Sequence, residues 1–254
     1  MIQDRIEDGI IIATFANAPM NTITRQSVQD LKKIVAKANT DDSVKGIVFT
    51  GAGKTFSAGF DLPMFLGFKD LKEVTDFFVE VEDIYIDLFM CKKPVVAAIN
   101  GAAVAGGLIT AMACDYRIAK NHPKIIIGMS EIKIGLGLSI VQTEIMRYGF
   151  DSDRKFRDIM YFGQMFNVAR AKELDVVDDI AEESELMDKA KKIVTAWIDN
   201  PGRAFTMLKE SQRSPYAARM RRRLREENWK DSFNCFFKPD TRKALEAVMA
   251  MMAK

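Results

Sequence analysis

The sequence predicts an α/β fold, a mostly parallel sheet with helices packed on it, followed by a helical C-terminal part. Three observations lead there. β-branched runs alternate with amphipathic stretches through the first half of the chain. Two of the runs end in glycine-rich turns, and after about Leu138 the strand signals stop while helical spacing continues.

Taken in order, residues 10–15 form a β-branched run suited to a strand. Residues 27–38 place Val28, Leu31, Ile34 and Val35 on one helical face. Residues 45–50 predict a second strand, ended by Gly51-Ala52-Gly53. A long helix is expected over 71–90, with Val74, Phe77, Phe78, Val81 and Ile84 inward, and a buried strand over 94–99. A small-residue helix at 106–114 and strands at 116–119 and 124–128 follow. Beyond them, 169–174, 185–198, 204–211, 217–233 and 242–252 read as helices. No repeat or low-complexity linker divides the chain, which predicts one domain: an α/β core over 1–195 and a helical region over 196–254.

Composition narrows the function classes. The formal charge is +2, from 37 Lys+Arg against 35 Asp+Glu, so nothing global attracts a polyanion or an anionic membrane. Cys91, Cys114 and Cys235 are far apart and odd in number, which signals neither a disulfide framework nor a zinc site. The single histidine, His122, lies between Asn121 and Pro123 and reads as a turn residue. No apolar run reaches membrane-spanning length, and neither terminus carries a recognisable address, the last four residues being Met-Met-Ala-Lys. A cytoplasmic protein is the expectation.

Chemistry concentrates in two loops, 55–62 and 100–107, each placed past the carboxyl end of a predicted strand, where open α/β sheets bind ligands. Gly106 and Gly107 also open a helix whose first N–H groups have no internal partner. Phe56-Ser57-Ala58-Gly59-Phe60-Asp61-Leu62, then Asn100-Gly101 with Ala105-Gly106-Gly107, then Cys114-Asp115-Tyr116-Arg117-Ile118-Ala119 resembles the enoyl-CoA hydratase/isomerase (crotonase) family in order and spacing. The resemblance spans nearly the whole chain. It implies a spiral of ββα units with C-terminal helices that drive trimer formation, and hence a homotrimer or a pair of trimers. It further implies an acyl-CoA substrate of fatty acid metabolism, held along Ala58, Gly59, Phe60, Asp61, Leu62, Gly106, Gly107 and Ile109. The oxyanion-hole amides fall on Phe60 and Gly106. Two fixed donors at a thioester oxygen stabilise an enolate more than the ground state, each by about 3–4 kcal/mol.

The family's hydratases carry two glutamates across the substrate. The position of the first is Ile109 here, which has no proton to give; the second matches Glu131 in Ile127-Gly128-Met129-Ser130-Glu131. Residues 125–129 and Ile132 are largely apolar, an environment that raises a carboxyl pKa. One base suffices to move a double bond from C3 to C2, taking a proton from C2 and returning it at C4. Hydration requires a second group to activate water. The segment Gly135-Leu136-Gly137-Leu138-Ser139 departs from the hydratase pattern as well. The chain therefore looks most like the 3,2-trans-enoyl-CoA isomerase branch, with no metal and no cofactor beyond the CoA of the substrate. Hydration, thioester hydrolysis or decarboxylation on the same hole, and a non-catalytic acyl-CoA- or RNA-binding relative, stay open as alternatives.

Three further features are expected to be structural. Asp61 reads as a helix cap and Glu144 as a solvated residue of a helix. The run Arg219-Met220-Arg221-Arg222-Arg223-Leu224-Arg225 reads as an amphipathic solvated helix or an oligomer contact rather than a nucleic-acid site.

Overall fold

A computed structural model describes residues 1–252, so the last two residues of the C-terminal tetrapeptide, and of the region drawn to 254, lie outside the described residues. The chain opens with a hairpin, β1 (Ile2–Glu7) and β2 (Ile10–Phe15), turned by Asp8 and Gly9 at φ 52° and 80°. Helix α1 (Arg25–Thr40) carries the apolar stripe read from sequence and begins at the Thr24/Ser27 capping box. Strands β3 (Gly46–Gly51) and β4 (Thr55–Ser57) lead to the short α2 (Leu62–Gly67) and the long α3 (Leu71–Phe89). Next come β5 (Val95–Ile99), β6 (Ala102–Val104), α4 (Gly106–Ala113), β7 (Tyr116–Lys120) and β8 (Ile127–Gly128). A 3-10 turn at Glu131–Ile134 precedes α5 (Ile140–Phe150), α6 (Asp153–Met160), β9 (Met165–Phe166), α7 (Val168–Glu173) and β10 (Asp179–Ala181). The C-terminal part holds α8 (Leu186–Ile198), α9 (Ala204–Glu226), a 3-10 segment at Lys230–Phe237 and α10 (Pro239–Met252). Helix α8 runs across the 195/196 division drawn from sequence.

Two sheets result. The larger has the order β1-β2-β3-β5-β7-β10 and is parallel except for the β1–β2 hairpin. Strands β2, β3, β5 and β7 are buried on both faces, which explains the continuous apolar runs, while the edge strand β1 is largely exposed. Ile11, Ala13, Phe15, Ile47 and Phe49 face the main core, whereas Ile10, Ile12, Val48 and Val96 pack under Leu186, Ala190 and Val194 of α8. Gly46 is the point of closest approach, since a Cβ there would meet Val194 Cγ1 at 2.5 Å.

The smaller sheet, β4-β6-β8-β9, corrects the sequence reading. Both glycine-rich loops contain a strand, and of the strand expected at 124–128 only Ile127 and Gly128 pair. Strands β9 and β10 fall in the part expected to be all helical. Elements of two or three residues have too little pattern of their own; their partners define them.

The C-terminal helices differ as well. Residues 204–226 form one helix through Pro215, where a break was expected. Tertiary contacts override the lost hydrogen bond. Before Pro215, Lys209 Nζ and Arg213 Nη2 bind Asp115 at 2.7 and 3.0 Å; after it, Ala217 and Met220 are buried. Arg213 also donates to the carbonyls of Phe89 and Ala113, neutralising the C-terminal ends of α3 and α4 together. Asp115→Asn would strand two buried cations, at an expected cost of about 3–5 kcal/mol, read as a lower urea midpoint. A loss below about 1 kcal/mol would show that both cations reach water unaided.

Glu144 is buried rather than solvated, and Arg219 and Arg223 bind its two oxygens from α9, Arg223 at 2.7 Å. Two of the run's five arginines are thus directed inward, with Arg223 also bridging Glu227 at 2.6 Å. His122 is exposed and its Nδ1 accepts from the Lys124 N–H, closing the turn as read.

Candidate active site

The small sheet builds the site. Strands β4, β6 and β8 are adjacent and parallel, so their carboxyl ends share one edge. Phe60 lies three residues beyond β4, Gly106 two beyond β6 and Glu131 three beyond β8. All three residues singled out as catalytic from sequence therefore leave the same edge of one sheet.

The two amides proposed for the hole are close neighbours. Gly59 has φ 89°, and a Cβ there would lie 2.8 Å from Gly106 N and 2.9 Å from Ala105 Cβ. A Cβ on Gly106 would meet the Phe60 ring at 2.9 Å. Among the described residues no hydrogen bond uses the N–H of Phe60 or of Gly106. The amides before them, and Asp61 N after Phe60, are engaged: Ala58 N with Met20 O, Gly59 N with Ser57 Oγ, Asp61 N with Ile23 O and Ala105 N with Gly128 O. Phe60 N is left free within a paired loop, whereas Gly106 N is free as the first amide of α4.

Local structure aims them. Ala105 adopts φ 52°, ψ −130°, an unfavourable conformation for a residue with a Cβ, which turns the chain into α4. Its methyl group offers no cap, so the first amides of α4 stay open with their partial positive charge. Thr110 Oγ1 donates to Gly106 O at 2.9 Å and shares a 2.9 Å hydrogen bond with the buried Tyr85 hydroxyl, which fixes the Gly106–Gly107 peptide. Gly107 is required by packing, because a Cβ would fall 2.2 Å from Ser57 O. On the other segment, Asp61 is the N-cap of α2, accepting from Met64 N at 2.9 Å and from Thr22 Oγ1 at 3.0 Å, which accords with the capping role. Leu62 begins α2 and packs against the core, where Ile109 is fully enclosed.

Glu131 starts the 3-10 turn. The residue is partly exposed, yet its Oε2 is buried without a partner. Desolvation pushes the carboxyl up to about 7, with the N–H groups of Glu131 and Ser130 offsetting part of the rise. Ile132 does not form the apolar surroundings expected of it; it is 50% exposed. Ile125, Ile127 and Met129 of the same stretch are buried as expected.

A family model described as enoyl-CoA hydratase/isomerase matches residues 5–252. The chain belongs to the enoyl-CoA hydratase/isomerase family. Within it, the mitochondrial enoyl-CoA delta isomerase 1 of Mus musculus is 27% identical over 210 residues, covering 82% of this chain and 72% of the relative. A putative enoyl-CoA hydratase of Thermus thermophilus is 28% identical over 216 residues, covering 81% of each. The crystal structure of human mitochondrial delta3-delta2-enoyl-CoA isomerase superposes with a TM-score of 0.90 at 24% identity, over 99% of this chain and 98% of that one. The crotonase fold read from the motifs is the fold of this chain.

Two residues that support the candidate site have little or no signal in the sequence. Asn21, at φ 52° and fully buried, donates to Ala52 O and Thr55 O and so ties residues 17–23 to the Phe60 segment. Asn tolerates that conformation, and Pro19 two residues earlier marks a turn, the one hint available. Glu82 of α3 is also buried, accepting from Ser139 Oγ at 2.5 Å and Val141 N at 2.7 Å, and burial raises it to about 7. It caps α5 at the end of the segment that carries Glu131.

Proposed function

We propose that the protein converts 3-enoyl-CoA to 2-trans-enoyl-CoA, with Glu131 as the single proton carrier. The thioester oxygen accepts from the Phe60 and Gly106 amides. Ionised Glu131 takes the proton from C2, the electron pair delocalises into a dienolate, and negative charge develops on the thioester oxygen. The protonated carboxyl then delivers the proton to C4, which leaves the double bond between C2 and C3. Ala58, Gly59, Asp61, Leu62, Gly107 and Ile109 line or support the binding of the CoA thioester. No metal or separate cofactor takes part, CoA belonging to the substrate.

One observation carries this reading: a buried, unpartnered carboxyl oxygen on Glu131, with the apolar Ile109 at the family's other acid position. A near-neutral carboxyl suits transfer to and from carbon at physiological pH. The isomerase relatives support it, while the hydratase name of the Thermus relative supports the runner-up. A homotrimer or pair of trimers is part of the proposal, supported by Met207 and Leu208 standing 71% and 70% exposed on α9. A cytoplasmic location is also proposed; no helix of the described residues is long and apolar enough to cross a membrane.

Purified protein should isomerise a short 3-enoyl-CoA, followed by the absorbance of the conjugated thioester. It should hydrate a 2-enoyl-CoA at least about 100-fold more slowly, the contribution of one missing acid/base group. Hydration without isomerisation would sink the proposal.

A further inference from the structure

The two halves of the site leave the small sheet separately and meet again far along the chain. Helix α2 continues the Phe60 segment; the 3-10 turn begins at Glu131. Both contact α10. Arg242 Nη2 donates to Leu66 O at 2.7 Å, taking one of the carbonyls that the last turn of α2 leaves unpaired. One residue earlier, the buried Thr241 abuts Gly135, where a Cβ would strike Thr241 Oγ1 at 2.7 Å. Gly135 closes the Glu131 turn at φ 73°, its N–H reaching the carbonyls of Glu131 and Ile132, and Leu136 N also binds Glu131 O at 3.0 Å.

The preceding 3-10 segment reinforces the same connection. Phe236 packs edge-on against Phe65 of α2 with ring centroids 5.0 Å apart. Burial pushes the Cys235 thiol up, and the Gly137 N–H offsets part of the rise.

We propose that α10 is a clamp that sets the Phe60 segment against the Glu131 turn, with Arg242 as its positioning residue. Arg242 is assigned no contact with the reacting atoms. Its neighbour Thr241 fixes one side of the site and its guanidinium the other, so the distance between hole and base depends on a helix remote in sequence. A misplacement of about 1 Å between reacting groups costs on the order of 100-fold in rate, so partial loosening should cost about 10-fold. The consequence for catalysis rests on the proposed isomerisation; the mechanical link does not.

The test compares Arg242→Met, which keeps length and loses the donor, with Arg242→Lys, which keeps one donor. For each, kcat and KM are measured on a short 3-enoyl-CoA, and amide hydrogen exchange is followed along the chain. Arg242→Met should lower kcat about 10-fold with KM within about twofold. Exchange should accelerate in residues 62–68 and 131–139 and stay unchanged in β2, β3 and β5. Arg242→Lys should recover most of both. Unchanged exchange in the two segments, or acceleration spread across the whole chain, would overturn the clamp. Unaltered kcat with the local exchange response would overturn its role in positioning. If wild type does not isomerise, the isomerase reading falls and the exchange pattern alone decides the clamp.

Discussion

Glu131→Gln should lower isomerisation by about 10²–10⁴-fold and, at pH 8, raise the melting temperature. Both effects come from one buried carboxyl. In the unfolded chain Glu131 titrates near its ordinary 4.5, and in the folded chain burial moves it to about 7. Between those values the native state holds the extra proton, so stability falls as pH rises through that window. Above about pH 7 the full cost remains, on the order of 3 kcal/mol from a shift of this size. Glutamine never ionises and removes that cost, but it buries an amide where Oε2 has no partner, at about 1–3 kcal/mol. The net gain should be about 1 kcal/mol at pH 8, or about 2–4 °C. At pH 5 the native glutamate is already neutral and the gain should vanish. Glu82 titrates in the same window, so the difference between wild type and variant, not either curve alone, isolates Glu131. Wild-type kcat/KM should rise about tenfold per pH unit below 7 and level off above it. A variant that keeps a tenth of wild-type turnover, or a melting difference equal at pH 5 and 8, would contradict this account.

How far the sequence reveals this molecule depends on where each signal is generated. Strands β2, β3 and β5 are readable because a strand buried on both faces must be apolar along its length, as Ile10 to Ala13 are. The hole segments are readable because Gly59 and Gly107 are dictated by backbone approach, and glycine is the one residue that meets that demand. Glu144 shows the opposite case. Its burial is caused by Arg219 and Arg223, some eighty residues away on α9, and no local pattern announces it. The strands of the small sheet are too short to show a period, although they deliver the whole site. Glu131 is legible by its position in a motif, whereas its neighbour Ile132, apolar in sequence, is exposed. The type of a loop residue does not by itself decide its exposure, since the chain there has no period that assigns a face.

Gly59→Ala should impair the proposed oxyanion hole more than any other single methyl group. The residue occupies φ 89°, which alanine adopts only with strain of about 1–3 kcal/mol. The new carbon would also stand 2.8 Å from Gly106 N, closer than a carbon can sit, so the donor must shift. Backbone atoms of 104–106 are fixed by Ala105 N donating to Gly128 O and by the Thr110 bond to Gly106 O, so they cannot yield cheaply. Loss of one donor corresponds to about 10²–10³ in kcat. Gly106→Ala is the informative comparison, because its carbon meets the Phe60 ring at 2.9 Å rather than a backbone atom. That ring is confined by Phe65, Phe77 and Phe78 at 5.6–5.9 Å between centroids, so it can shift only in part. Both variants should lower kcat, Gly59→Ala by at least about tenfold more, while base-side behaviour is preserved: the pH midpoint near 7 should stay where Glu131 sets it. If Gly59→Ala folds and turns over like wild type, Gly106 N is not a donor to the reacting oxygen.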